Sequence, residues 1–310
     1  MDPLSDMLGG IRAEGACVNQ VSLEPPWAIR FAEGGALTLL TAVRGEGVLV
    51  LADGTEHKLN EGSTALVRGD EPFHLADSAA AMDGPIKVLS GNGYETVCEL
   101  SLDESDATTA VIVGTYRTTC TRQERLLRTL PSALVVDEDT TDATKPEVAT
   151  LGGWLDAVTD ALRRRRGPGG QALIDRLLDW GLVCTLACWF EHQGADAPAW
   201  YRGAQDPVAG PALEAIHNRP QHLWTVGALA AEAKVSRAHL AKRFAEVMGQ
   251  PPLKYLTEWR MYTAEDLLSD SDMSVAEVAR AVGYADPFAF STAFKRHRGT
   301  SPRQYRSAVV

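Results

Sequence analysis

Residues 225–249 read TVGALAAEAKVSRAHLAKRFAEVMG, and residues 274–299 read SVAEVARAVGYADPFAFSTAFKRHRG. Each stretch spells a short helix, a tight turn and a second helix. Thr225 and Ser274 are N-cap residue types, each followed by apolar residues at helical spacing. In the first stretch Val226, Leu229, Ala230 and Ala233 lie on one face. Lys234-Val235 then turns into a helix capped by Ser236, with Leu240, Phe244 and Val247 as its predicted core stripe and Gly249 as its stop. In the second, Val275, Val278, Ala279 and Val282 form the first stripe and Gly283-Tyr284-Ala285 the turn. Asp286 caps the next helix, Pro287 occupies its first position, and Phe290 and Phe294 point inward. Two such units in succession predict a tandem helix-turn-helix.

The residues opposite the core stripes carry the chemistry. On the helix opening at Ser236 these are Ala238, Ala241, Lys242 and Ala245, flanked by Arg237 and His239. On the helix opening at Asp286 they are Phe288, Ala289, Thr292 and Lys295, with Arg296 beside them. Small, apolar and basic side chains suit a helix in a DNA major groove. Methyl and aromatic groups touch thymine methyls, Lys reaches guanine acceptors, and Arg and Lys hold phosphates. An ordinary solvated helix face is the bland alternative, and the repetition of the unit in phase weighs against it.

Further residues carry a resemblance. Trp259-Arg260-Met261, Val282-Gly283-Tyr284, Ala289–Arg296 and then Gly299-Thr300-Ser301-Pro302 with Tyr305-Arg306 resemble the AraC/XylS family of bacterial transcription regulators. The resemblance implies two helix-turn-helix units on a rigid joining helix, about Pro252–Ser269, entering successive major-groove faces of double-stranded DNA. It also implies a homodimer acting with RNA polymerase, more often as an activator. Ala238, Ala241 and Ala289 are smaller than the polar readers common in relatives, so the operator is not legible.

The chain has 310 residues, 45% hydrophobic and 23% charged, enough for two domains with real cores. No apolar run approaches the roughly 20 residues that span a bilayer. Met1–Asp6 is acidic and lacks a signal-peptide layout, so a cytoplasmic protein with no membrane partner is expected. The formal net charge of −11 is unevenly divided. From Val208 onward 13 Lys and Arg stand against 10 Asp and Glu, whereas the preceding 207 residues hold 17 against 31. A mildly basic tail on an acidic body fits a DNA-facing module on a regulatory one.

The first 120 residues alternate short β-like runs with turns: 16–23, 27–31, 37–44, 47–52, 63–67, 73–76, 86–90, 96–100 and 110–116, after a short helix or arm over 1–14. Asp53-Gly54 marks a hairpin, and many short strands at this spacing imply a sandwich or a barrel. Gly45–Leu51, Leu59–Gly62 and Arg68–His74 resemble the cupin-like sensor of AraC-type regulators. The predicted fold class is therefore α+β. A domain over 1–192 comprises a cupin-like β-barrel (about 10–120) and a helical dimerisation segment (about 147–192). A linker over 193–210 precedes an all-α tandem helix-turn-helix domain over 211–310.

The resemblance implies a small-molecule effector in the barrel. Trp27, Phe31 and His74 are the candidate contacts; core packing for the aromatics, and a strand-end hydrogen bond for His74, are the competing readings. Metal-dependent cupins cluster a His-x-His pair with a carboxylate and a third His. This barrel has only His57 and His74, so no metal, cofactor or enzymatic activity is expected. Residues 123–145 form a connection with a short helix near 123–129. Helices follow over about 147–166, ending in Arg163–Arg166, and over 172–192. The five cysteines, Cys17, Cys98, Cys120, Cys184 and Cys188, contain no Cys-x-x-Cys. Cys17, near the barrel start, resembles the sensing thiols of oxidant-responsive relatives. A redox regulator acting through Cys17, Cys98 and Cys120 is thus the alternative to a ligand-controlled one; a cupin enzyme with a DNA-binding tail is disfavoured by the missing metal ligands.

Overall fold

The computed structural model describes residues 11, 19–23, 25–32, 36–69, 71–84, 86–89, 109–116, 127, 129–137, 151–163, 169–270 and 272–309. Among these, residues 11–193 and 194–309 form two compact units.

The N-terminal unit contains ten described strands: β1 (Asn19–Leu23), β2 (Ala28–Phe31), β3 (Leu37–Arg44), β4 (Gly47–Val50), β5 (Glu56–Leu59), β6 (Thr64–Arg68), β7 (Phe73–Ala76), β8 (Lys87–Leu89), β9 (Thr109–Tyr116) and β10 (Ala133–Val136). They make two five-stranded sheets, ordered β1-β9-β3-β6-β10 and β5-β4-β7-β2-β8. Pairing is antiparallel except for β2 with β8. Trp27, Ile29, Phe31, Leu49, Phe73 and Leu75 from one sheet interdigitate with Leu40, Ala65, Val67, Val111 and Val113 from the other. The strand-rich first domain of the expected α+β fold is thus present as two facing sheets. No strand pair joins the two sheets among the described residues, and the arrangement is a sandwich with a shared core.

β5 and β10 have no counterpart in the predicted runs. Both are four-residue edge strands, and in β5 only Leu59 is buried, so its alternation is faint. The strand expected over 96–100 and the arm expected over 1–14, apart from Ile11, lie outside the described residues.

Helices α1 (Leu151–Arg163) and α2 (Gly170–Gln193) follow. Residues 164–166 of the arginine tetrad lie outside the described residues. α2 covers the first sheet: the Tyr116 hydroxyl donates to the Leu178 carbonyl at 2.7 Å, and Gly114 faces the Leu178 side chain. This cover explains why the first six residues of β3 are all buried, with no polar face. α1 packs on α2 through Trp154, fully buried, whose Nε1 donates to the Leu177 carbonyl at 2.6 Å. Its indole lies directly over Gly181, where any Cβ would fall inside the ring's van der Waals envelope.

Of residues 193–210, read from the sequence as a linker, Gln193 ends α2 and residues 194–210 carry helical segments in the C-terminal unit. These include α3 (Ala199–Gln205) and the start of α4 (Ala209–Asn218). Glycine here serves close packing: Gly203 lies under the Met248 and Leu213 side chains, and Gly210 under the Ala204 carbonyl. The remaining helices are α5 (Val226–Glu232), α6 (Arg237–Met248), α7 (Pro252–Asp270), α8 (Val275–Ala281), α9 (Pro287–Arg298) and α10 (Pro302–Val309). α7 serves two cores. Leu256 and Trp259 join Leu213, Ile216, Leu229, Leu240 and Phe244, while Met261, Ala264 and Leu268 join Val278, Val282, Phe290 and Phe294.

Gly181→Ala is expected to destabilise the N-terminal unit by about 1–3 kcal/mol, the usual cost of overpacking a filled core. The denaturant midpoint of the intact chain measures it, and an unchanged midpoint would mean that α1 yields freely.

Candidate nucleic-acid interface

All four predicted N-caps are formed by side chains. Thr225 Oγ1 accepts from Ala228 N at 3.0 Å and Ser236 Oγ from His239 N at 3.2 Å. Ser274 and Glu277 make a reciprocal capping box, and Asp286 accepts from Phe288 N and Ala289 N at 3.0 and 3.1 Å. Each cap fixes where its helix begins, and therefore which side chains face outward. The turns also match. Val235 N donates to Ala230 O in the first unit, and Tyr284 N to Ala279 O in the second. Lys234 and Gly283 hold the corresponding left-handed positions, with φ of 54° and 84°. At Gly283 a side chain is excluded on a second ground, since a Cβ would lie 2.7 Å from Arg260 Nη2 and from the Gln221 carbonyl.

On α6, Leu240, Phe244 and Met248 are buried, so Met248 takes the inward place predicted for Val247. Arg237, Ala238, His239 and Lys242 are exposed, and Ala241 and Ala245 are half-buried. The Lys242 side chain is 80% exposed, with Glu246 as a distant partner at 3.9 Å. On α9, Phe290 and Phe294 are buried, whereas Phe288, Ala289, Thr292, Lys295 and Arg296 are exposed. The structure thus gathers the predicted residues on two outward helix faces of one unit. Ser236 and Asp286 are distinct from the rest, because their side chains are occupied by their own helices.

Other arginines of the unit are structural. Arg260 on α7 donates to the Pro220 carbonyl at 2.7 Å and the His222 carbonyl at 2.8 Å, and lies over the Tyr284 ring. Arg298, at the end of α9, pairs with the buried Glu265 of α7, and Arg306 donates to the Leu268 and Met273 carbonyls. Arg219 pairs with Glu232 at 2.7 Å.

Sequence reasoning missed the pair that seats α6. Asp206, whose side chain is 3% exposed, accepts from Val208 N and Ala209 N at 2.9 and 2.8 Å and from Arg243 Nε at 2.8 Å. Burial alone would raise its pKa. The two amides and the Arg243 guanidinium outweigh that and hold the carboxyl below the usual carboxylate range. The available signal was an Asp two and three residues before backbone amides at a helix start, hidden in a stretch resembling a linker.

In the N-terminal unit the three effector candidates do not form one site. Trp27 and Phe31 face the core between the sheets, Phe31 stacked on Phe73 at 4.5 Å. His74 pairs in register with Arg30 and, one position on from Phe73, points to the opposite face. Burial, then the Arg30 charge, lowers the His74 pKa. The Trp27 indole N–H is buried without a hydrogen-bond partner. Cys17, Cys98 and Cys120 lie outside the described residues. Cys184 and Cys188 are buried, and burial first, then the neighbouring Cys188, pushes the Cys184 thiol up to about 12. No group of three or more potential metal ligands occurs among the described residues, and no described helix is long and apolar enough to cross a membrane.

Comparison with known proteins matches residues 2–191 to a cupin family and residues 229–308 to a helix-turn-helix domain family. An AraC-like transcription regulator of Streptomyces lividans is 31% identical over 311 residues, covering 99% of this chain and 98% of that one. The chain belongs to the AraC-like family of transcription regulators. A second relative, the helix-turn-helix-type transcriptional regulator AlkR of Acinetobacter baylyi, is 28% identical over 99% of each chain. The DNA-binding domain of the global transcriptional factor AdpA, solved in complex with target DNA, is 38% identical over 34% of this chain and 93% of that one, with a TM-score of 0.32. As an AraC-like regulator the chain binds double-stranded DNA through its helix-turn-helix region.

Asp206→Asn is expected to cost the helical unit about 1 kcal/mol at neutral pH, the scale of a cap plus a half-exposed ion pair. Because the folded-state pKa is depressed, the contribution is complete above the ordinary carboxylate value of about 4 and is lost as pH falls through the folded value. The urea-midpoint gap between wild type and variant should hold from pH 7 down to about 4 and close below it; a gap independent of pH would contradict the assignment.

Proposed function

We propose that this regulator reads its operator with α6 and α9 laid in successive major-groove faces. Arg237, Ala238, His239, Ala241 and Lys242 serve on the first helix, and Phe288, Ala289, Thr292, Lys295 and Arg296 on the second. Ser236 and Asp286 set the starting points of the two helices. The observation that carries this is the pair of equivalently capped helices whose exposed residues are small, apolar or basic, while neighbouring arginines are occupied in holding the unit together. Helix N-termini of this kind place their early residues against base edges and later cations near phosphates.

The wider reading is a homodimer, controlled by a small-molecule effector at the N-terminal unit and acting on RNA polymerase as an activator. The outward side of α2 supports dimerisation: Leu173 and Val183 are 53% and 41% exposed on a helix that also buries Ile174, Leu178 and Leu182. The orphan Trp27 N–H and the aromatic pair beside it favour the core between the sheets over the His74 face as the effector site. The thiol-sensing alternative rests on Cys17, Cys98 and Cys120, because Cys184 and Cys188 are buried and the Cys184 thiol, pushed up to about 12, supplies almost no thiolate at neutral pH.

Lys242→Ala is expected to weaken operator binding by about 1–3 kcal/mol and to relax preference at one base position. Binding to a panel of single-base operator variants measures it. A uniform loss across the panel would place Lys242 on a phosphate.

A further inference from the structure

Aligned from their caps, Ser236 with Asp286, the two recognition helices present different chemistry. Lys242 falls where Thr292 stands in the second helix, and Ala238 where Phe288 stands. The first helix offers a long exposed cation beside methyl groups. The first two turns of the second offer no uncommitted donor. Pro287 has no N–H, and Asp286 spends both carboxylate oxygens on the Phe288 and Ala289 amides. The Ser291 hydroxyl donates to the Pro287 carbonyl, and the Thr292 hydroxyl to the Phe288 carbonyl, each at 2.9 Å.

What α9 presents is the Phe288 ring, the Ala289 methyl and the Thr292 methyl. Phe288 is 83% exposed, the most exposed large apolar side chain among the described residues. Both folded cores are complete without it, so water around this ring is removed only by a bound partner. Lys295 and Arg296, one turn further along the same face, are exposed. An apolar patch bordered by cations is complementary to a base edge bordered by phosphates. Guanine and adenine offer major-groove acceptors that the first two turns of α9 have no uncommitted donor to satisfy, the cations Lys295 and Arg296 lying a turn further along; cytosine offers a donor, and thymine alone adds a methyl group.

We propose that α9 selects its half-site through thymine 5-methyl groups packed against Phe288, Ala289 and Thr292, whereas α6 selects its own through Lys242. The two boxes of the operator are then chemically unlike, one rich in thymine methyls and one guanine-bearing. This inference rests on the DNA-interface reading above.

The test begins by selecting an operator from a random duplex library with the full-length wild-type protein. Each thymine is then replaced by deoxyuridine, which pairs identically and lacks only the methyl. A contacted methyl should cost about fourfold in affinity, the equivalent of roughly 0.8 kcal/mol of buried hydrocarbon. The losses should be confined to one box. In Phe288→Ala at least one of these penalties should vanish, while in Lys242→Ala all should persist. Because Phe288 is exposed, its truncation leaves the folded unit intact, which a thermal melt checks. A two-box operator indifferent to deoxyuridine, or a full set of penalties retained in Phe288→Ala, overturns this inference and leaves the DNA-interface reading standing. Failure to select any sequence overturns both.

Discussion

Arg260 donates to two carbonyls of the segment leading into the first helix-turn-helix, those of Pro220 and His222, and its guanidinium lies over Tyr284 in the turn of the second. One side chain thereby touches both units at the middle of α7. Two recognition helices can enter successive grooves together only if their separation and rotation are set before DNA is met, since ordering them on the DNA would subtract from affinity. α7 supplies the length, and the two cores on its sides fix the rotation. Arg260, with the Glu265–Arg298 pair and the Arg306 bonds further along, ties the loops that hydrophobic packing alone leaves adjustable. Gly283 follows from the same constraint: a side chain there would displace the guanidinium.

The modest basic surplus of the C-terminal region acquires a different meaning from this division of labour. Arg219, Arg243, Arg260, Arg298 and Arg306 are held by carboxylates or carbonyls. The cations on the two outward faces, Arg237, Lys242, Lys295 and Arg296, are fewer than the residue count suggests, but they sit where the helices present them. Charge placement matters more here than net charge, and a weak overall field leaves discrimination to contacts at short range.

The helical unit was largely legible because its signals are local. A cap, its helix and its stop lie within a dozen residues, and Thr225, Ser236, Ser274 and Asp286 all cap as their spacing implied. The slip from Val247 to Met248 is one helical step, within the ambiguity of a stripe that tolerates both i+3 and i+4. The N-terminal unit was legible as strands, not as their arrangement. Whether strands close into a barrel depends on pairings between residues far apart in the chain, and four-residue edge strands such as Glu56–Leu59 leave little alternation to read. Residues 193–210 were misleading for another reason. Glycine, alanine and proline signal a flexible connection unless one knows that Met248 needs a space to fill.

The seat made by α3 and α4 bears on how regulators of this architecture can be recombined. A chimera joined at Pro211 would leave behind Asp206, the partner of Arg243, and Gly203, the floor beneath Met248, so its first recognition helix would lose its support. A chimera joined between Gln193 and Gly194 carries the whole seat along. Exchange of sensors is therefore cleanest at the end of α2, where a helix stops and, among the described residues, neither the Asp206–Arg243 pair nor the packed Gly203 is severed from the DNA-binding unit.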